Sequence, residues 1–291
     1  MVYYYVRNLY SPAFGEAHKP RLRYFGGTDA AEDQPPRIMH AHDGFVELIL
    51  ILSGRCSYLI GSRAYEVQTG DLVIYNSGIL HDESVWVENG VNTYCLAIDG
   101  LALDGMRPNT LLPDDAVPVF HCGAIFPELT AMCELIWHSL REGGICAEGC
   151  AQLLSEALLT RILPLITHKK DLPAAEPESV LGARIKAYLD RHYAENIGMP
   201  EISEALHMSA PYLTHVFKSM SGYSPMKYLL RRRIGEAQTL LETTGLSISE
   251  IGERVGYETT SYFSAQFTKH VGVSPKAYRK KVEYVRKNDS Q

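Results

Sequence analysis

The chain has 291 residues, 46% apolar and 21% charged, which is room for two globular domains and excludes a fibrous, low-complexity or largely disordered protein. Its net charge of −6 is unevenly spread: residues 181–291 hold 16 Lys and Arg against 11 Asp and Glu, a surplus of +5, while the first 180 residues carry −11. Only the C-terminal part is suited to approach a polyanion.

The N-terminus, Met1 to Asn8, lacks the basic start and continuous apolar core of a secretion signal. The longest apolar run, Val46 to Leu52 interrupted by Glu47, is far shorter than a bilayer span. We therefore expect a cytoplasmic protein without a membrane partner. Six cysteines (Cys56, Cys95, Cys122, Cys133, Cys146 and Cys150) form no Cys-x-x-Cys pair and read as small buried apolar residues in a reducing compartment.

From about Arg37 to Ile98 the pattern is of short β-rich runs: Phe45 to Leu52, Cys56 to Ile60, Ala64 to Val67, Asp71 to Tyr75, Ser84 to Val87 and Val91 to Ile98. Gly54, Gly61, Gly70, Gly78 and Gly90 punctuate them, which predicts an antiparallel barrel or sandwich. Near Pro127 the period changes. Leu129, Met132, Leu135, Ile136 and Leu140, then Leu153, Leu154, Ala157, Leu158, Ile162 and Leu165, fall at helical spacing on either side of Gly143-Gly144. This helical hairpin either covers the barrel or forms a dimer seam. Residues 168–180, charged and proline-bearing without apolar periodicity, read as a linker, so the expected division is 1–167, 168–180 and 181–291.

The last part repeats itself. Tyr212, Phe217, Gly222, Ser224, Pro225 and Tyr228 return fifty residues later as Tyr262, Phe267, Gly272, Ser274, Pro275 and Tyr278. Each copy reads as a short helix, a tight turn and a second helix with an apolar rear. Ser209 is placed to cap the first such helix, which buries Leu213, Val216 and Phe217 and exposes Ala210, Pro211, Thr214, His215 and Lys218. Its counterpart buries Tyr262, Phe263 and Phe267 and exposes Thr260, Ser261, Ala265, Gln266 and Lys269. This is the pattern of recognition helices entering the major groove of double-stranded DNA. The helix between them, Met226 to Glu242, would hold them about 34 Å apart, one turn of DNA. Arg231, Arg232 and Arg233, with Lys276, Arg279, Lys280 and Lys281, are candidate phosphate contacts.

The run from Ser249 through Glu-Ile-Gly-Glu-Arg-Val-Gly-Tyr to Arg279 resembles the signature of the AraC/XylS family of transcriptional regulators, over roughly residues 181–283. The resemblance implies a seven-helix domain that contacts promoter DNA and RNA polymerase, and a homodimer. It places base-reading positions on Pro211, Thr214 and His215, and on Thr260, Ser261 and Ala265. Family members often carry Arg at the positions of His215 and Ala265.

Residues 37–98 resemble the cupin superfamily in His40, His42, Glu47, Gly54, Gly70, Gly78 and His81, with Asn76 where proline is usual. His40 and His42 alternate by two and so share a strand face; Glu47 and His81 complete a three-nitrogen, one-carboxylate set suited to zinc, iron or manganese. The same four side chains would also serve as direct hydrogen-bond partners of a small molecule, such as a sugar, without any metal. The fold class expected is a cupin-type β-barrel with a helical hairpin, followed by an all-α domain with two helix-turn-helix motifs. Functionally, that is a sequence-specific regulator controlled by a small-molecule effector; the alternative is a metal-dependent cupin enzyme with a DNA-binding appendage.

Overall fold

A computed structural model describes residues 19–28, 37–87, 91–114, 116–167 and 180–288. Eight strands come first: β1 Arg21–Thr28, β2 Val46–Ser53, β3 Arg55–Ile60, β4 Arg63–Gln68, β5 Asp71–Tyr75, β6 His81–Val87, β7 Asn92–Asp99 and β8 Val119–His121. They build a five-stranded sheet, β1-β7-β2-β5-β8, and a three-stranded one, β4-β3-β6. The tight connection between β3 and β4 begins at Gly61, whose φ of +62° suits a hairpin turn that other residues enter with strain. The sequence pattern anticipated β2 to β7; β1 and β8 add one strand at each edge of the larger sheet.

Alternation along β2 decides what faces where. Val46, Leu48 and Leu50 pack outward beneath helices α1 (Phe126–Glu142) and α2 (Ala147–Thr167), whereas Ile49 and Ile51 join Tyr58, Val73 and Tyr75 between the sheets. Glu47 shares the inner face. Leu129, Cys133 and Ile136 of α1 and Ala151, Leu158, Leu159 and Ile162 of α2 are buried in the same cluster. The hairpin thus covers the sheet, and it leaves Leu135, Ile145 and Leu153 exposed. By length and composition α2 is apolar enough to cross a membrane, although Glu156 and Arg161 interrupt its apolar runs; its apolar surplus is spent in part on this core. Cys56, Cys122 and Cys133 are buried as expected, but Cys146 and Cys150 are exposed around the start of α2, outside any core.

Seven helices follow among the described residues: α3 Val180–His192, α4 Met199–Leu206, α5 Ala210–Ser221, α6 Pro225–Thr243, α7 Ile248–Arg254, α8 Thr260–Val271 and α9 Pro275–Asn288. Of the expected linker, residues 168–179 lie outside the described residues and Val180 begins α3. The internal repeat is structural: residues 211–220 and 261–270 run through the same order of exposed, half-buried and buried positions. Between the two, α6 has 19 residues, a length of about 28 Å.

The two parts share a core, which a division at residue 167 does not anticipate. Ile38, Met39 and Leu59 belong to the apolar cluster of the helical part, together with Leu213, Phe217 and Ile234. The Ile38 N–H donates to Gln238 Oε1 at 2.9 Å. A Cβ on Gly235 would stand 1.9 Å from the Met39 carbonyl oxygen, so α6 needs glycine there to lie against residues 38 and 39.

Candidate effector site and nucleic-acid interface

The backbone fixes the candidate ligands before their side chains do. His40 and His81 exchange two N–H···O=C bonds of 2.9 and 2.8 Å, and the Gly78 N–H donates to the His42 carbonyl. Asn76, where cupins usually have proline, donates to Leu112 O at 2.8 Å and accepts from Leu111 N at 2.9 Å, tying this segment to the loop ahead of β8. One donor atom from each of His40, His42, Glu47 and His81 lies within 4.8 Å of the others.

Each second contact leaves one atom turned inward. His81 Nδ1 meets the Ile79 carbonyl at 2.9 Å, so Nδ1 holds the proton and Nε2 is free to bind. Its ring stacks on Tyr75, with centroids 3.9 Å apart. The His42 ring stacks on Phe45. Glu47 Oε1 accepts from Tyr24 Oη at 2.6 Å and from Cys95 Sγ at 2.9 Å. That leaves His40 Nδ1, His42 Nε2, Glu47 Oε2 and His81 Nε2 buried without a hydrogen-bond partner, although Glu47 Oε2 stands 3.3 and 3.4 Å from the His42 and His81 nitrogens. Buried polar atoms without partners are costly. Four converging in one place are what an oxygen-rich ligand or a divalent cation would satisfy, and three imidazoles with one carboxylate suit zinc, iron or manganese.

Burial and neighbouring charges act on two of the four ligands in different ways. Burial, then the neighbouring His81, Arg37 and His42, push His40 well below the usual imidazole range, which keeps it neutral. Burial alone would raise Glu47, but His42 and His81 hold its carboxyl well below the usual range. Glu83, two residues after His81, is pushed up to about 8 by burial and by Glu47 and Asp82. Tyr24, Glu83 and Arg37 all line the open cleft of about 620 Å³ that leads to the cluster. Sequence reasoning missed the three: Tyr24 lies on a strand without clear alternation, and the other two carry no motif.

The positions expected to face DNA lie on helices α5 and α8. Pro211, His215, Lys218, Thr260, Ser261, Ala265 and Lys269 are exposed, and Ala210, Thr214 and Gln266 are half-buried. Gln266 occupies the position of Val216 and is less open than expected. Tyr262, expected inside, is 59% exposed, matching Tyr212 at 53%; the two tyrosines present the same aromatic edge from both motifs. Ser209 adopts an N-cap backbone but accepts no side-chain hydrogen bond, whereas Thr259 accepts one from Tyr262 N.

The arginine run needs a larger correction. Arg231 is buried and forms a two-pronged pair with Asp82, its Nη2 donating to Oδ1 at 2.9 Å. Arg232 donates to Glu236 Oε2 at 2.8 Å and lies over the Tyr193 ring. Arg233 donates to the carbonyls of Tyr193 and Glu195, and Arg279 to that of Leu246. These guanidiniums are engaged in holding the fold, so a phosphate contact by Arg232 would have to compete with Glu236. Lys276, Lys280 and Lys281 remain exposed.

A family model described as an AraC-like ligand binding domain matches residues 25–163, and one described as a helix-turn-helix domain matches residues 202–281. The chain is 28% identical over 284 residues to the HTH-type transcriptional regulator YdiP of Escherichia coli (strain K12), covering 94% of this chain and 90% of that one. It is 25% identical over 250 residues to the HTH-type transcriptional activator RhaR of Enterobacter sp. (strain 638), covering 82% and 86%. Among solved structures, the C-terminal domain of AraT, a response regulator from Geobacillus stearothermophilus, is similar at 36% identity over 36% of this chain and 88% of that one, with a TM-score of 0.36.

Proposed function

Because the chain belongs to the AraC family of transcriptional regulators, joining an AraC-like ligand-binding domain to a helix-turn-helix DNA-binding domain, we propose that a small polar molecule held at His40, His42, Glu47 and His81 controls its grip on promoter DNA. The observation that carries this reading is the convergence of four buried, unpartnered donor atoms at the end of an open cleft. A resident divalent cation, zinc, iron or manganese, fits that donor set and would supply a Lewis-acidic centre for an oxygen-bearing effector. The surrounding residues do the rest: Tyr24 and Cys95 fix Glu47, and Tyr75 and Phe45 hold two imidazole planes. A ligand shifts the regulator only by binding one arrangement of the two domains more tightly than the other.

DNA contact is assigned to Ala210, Pro211, Thr214, His215, Lys218, Thr260, Ser261, Ala265, Gln266 and Lys269, with the exposed Tyr212 and Tyr262 beside them. The exposed Leu135, Ile145 and Leu153 on the helical hairpin suit a homodimer seam, and RNA polymerase is the expected further partner. We read the protein as cytoplasmic and as a regulator rather than an enzyme, since its relatives are transcriptional regulators.

The test is elemental analysis of the purified chain together with DNA affinity for wild type and the double variant H42A/H81A. We expect about one metal per chain in the wild type, none in the variant, and loss of the effector response with DNA binding itself retained. An unchanged effector response in H42A/H81A would overturn the assignment of the site. Catalytic turnover by the metal-loaded chain would favour the enzyme reading.

A further inference from the structure

We infer that the effector site is completed by the DNA-binding part itself: the C-terminal turns of α6 form the outer wall of the cleft, so that one ligand touches both domains. This rests on the reading of the barrel cluster as the effector site. On the barrel side the cleft is lined by Tyr24, His42 and Phe45, and on the other by Thr239, Glu242 and Thr243 of α6. Arg37 joins the sides, donating to Thr239 Oγ1 at 3.1 Å and pairing with Glu242.

The wall is fixed rather than passing. Gly235 lets α6 lie against the Met39 carbonyl, and the Ile38 N–H is held by Gln238 within the buried core. His40 follows these two residues directly, so the strap that carries a ligand of the cluster is clamped by the same helix that walls the cleft.

The lining also defines the ligand's chemistry. Thr239 Oγ1 donates its proton to Gly235 O at 3.2 Å, and Thr243 Oγ1 donates to Thr239 O at 2.8 Å. Towards the cleft both hydroxyls therefore act as acceptors. Asp43 and Glu242 add carboxylate oxygens beside the single guanidinium of Arg37, and Phe45 and Tyr24 offer ring surfaces in edge-to-face contact. Acceptors in excess beside an aromatic face select a neutral ligand rich in hydroxyl donors with some C–H surface: a monosaccharide or alditol rather than an organic anion or a lipid.

The test is calorimetric titration of the full chain with a panel of neutral aldoses, ketoses and alditols. We expect at least one to bind, T239V and T243V each to weaken it about 3- to 10-fold, the size of one lost hydrogen bond, and T243S to restore it. T243W, at an exposed position on the cleft rim, is expected to abolish binding. If the bound sugar is unaffected by T239V, T243V and T243W but lost in H42A/H81A, the α6 wall is wrong and the barrel site stands. If it is unaffected by H42A/H81A as well, the barrel site itself falls. If no member of the panel binds, the ligand class and this inference are overturned together.

Discussion

The two helix-turn-helix motifs are alike in themselves and unlike in their surroundings. Positions 211–220 and 261–270 share one burial pattern, yet among the described residues the contacts with the barrel gather around the first motif. After α5, Gly222 lies close to Ala64, Tyr223 Oη reaches Asp82 at 3.5 Å, and Arg231 of α6 is paired with Asp82. Near the second motif, Arg37 contacts Glu242 and Tyr278. The difference teaches where a signal can enter. Strand β6 presents His81 to the candidate effector site and Asp82, facing the other way, to α6, so a shift of this strand acts on the first motif before the second.

The comparison is broken most severely at Asp82. Substituting it with alanine strands a buried guanidinium, and D82A should lose about 3–5 kcal/mol in chemical denaturation; D82L/R231M, which removes both charges, should recover most of that. A loss below about 1 kcal/mol would mean that Arg231 has another partner of equal value and that the first motif is not anchored here. Next comes G235A, whose methyl would meet the Met39 carbonyl. It should cost about 1–3 kcal/mol as overpacking, with increased proteolytic cleavage between the domains as the readout of their separation.

Phosphate contact separates the exposed lysines from the engaged arginines. K218A and K269A should each flatten the dependence of DNA affinity on salt by about 0.9 in log–log slope, with a smaller change for R232A because its charge is already spent on Glu236 and Tyr193. Equal slopes for the three would show that Arg232 swings free on DNA. The smallest effect distinguishes equivalent caps: T259A should cost about 1 kcal/mol in thermal unfolding, and S209A clearly less, since Ser209 accepts no cap hydrogen bond.

Much of this was legible in the sequence, and most of the rest is set by contacts between distant parts of the chain. Strands β2 to β7 show as short β-rich runs between glycines, the fifty-residue repeat marks both motifs, and the cupin resemblance brings His40, His42, Glu47 and His81 into one set. Strand β1 went unseen because Arg21–Thr28 contains Gly26 and Gly27 and owes its form to pairing with β7; Tyr24 was lost with it. Arg231 read as a surface charge because its partner Asp82 stands 149 positions away. Tyr262 read as core because its neighbour Phe263 is core and aromatic residues give no warning of exposure. Thr239, Glu242 and Thr243 carry no signature of any kind: their place at the cleft follows from domain docking, which local periodicity does not encode.

The account turns on both exposed helices reading one duplex, and hydroxyl-radical footprinting on DNA selected from a random-sequence pool tests that directly. One bound chain should protect two successive stretches on a single face, about 10.5 base pairs apart; T214A/H215A should erase the first and T260A/S261A the second. Protection of one stretch only, or an identical footprint on unselected DNA, would contradict it.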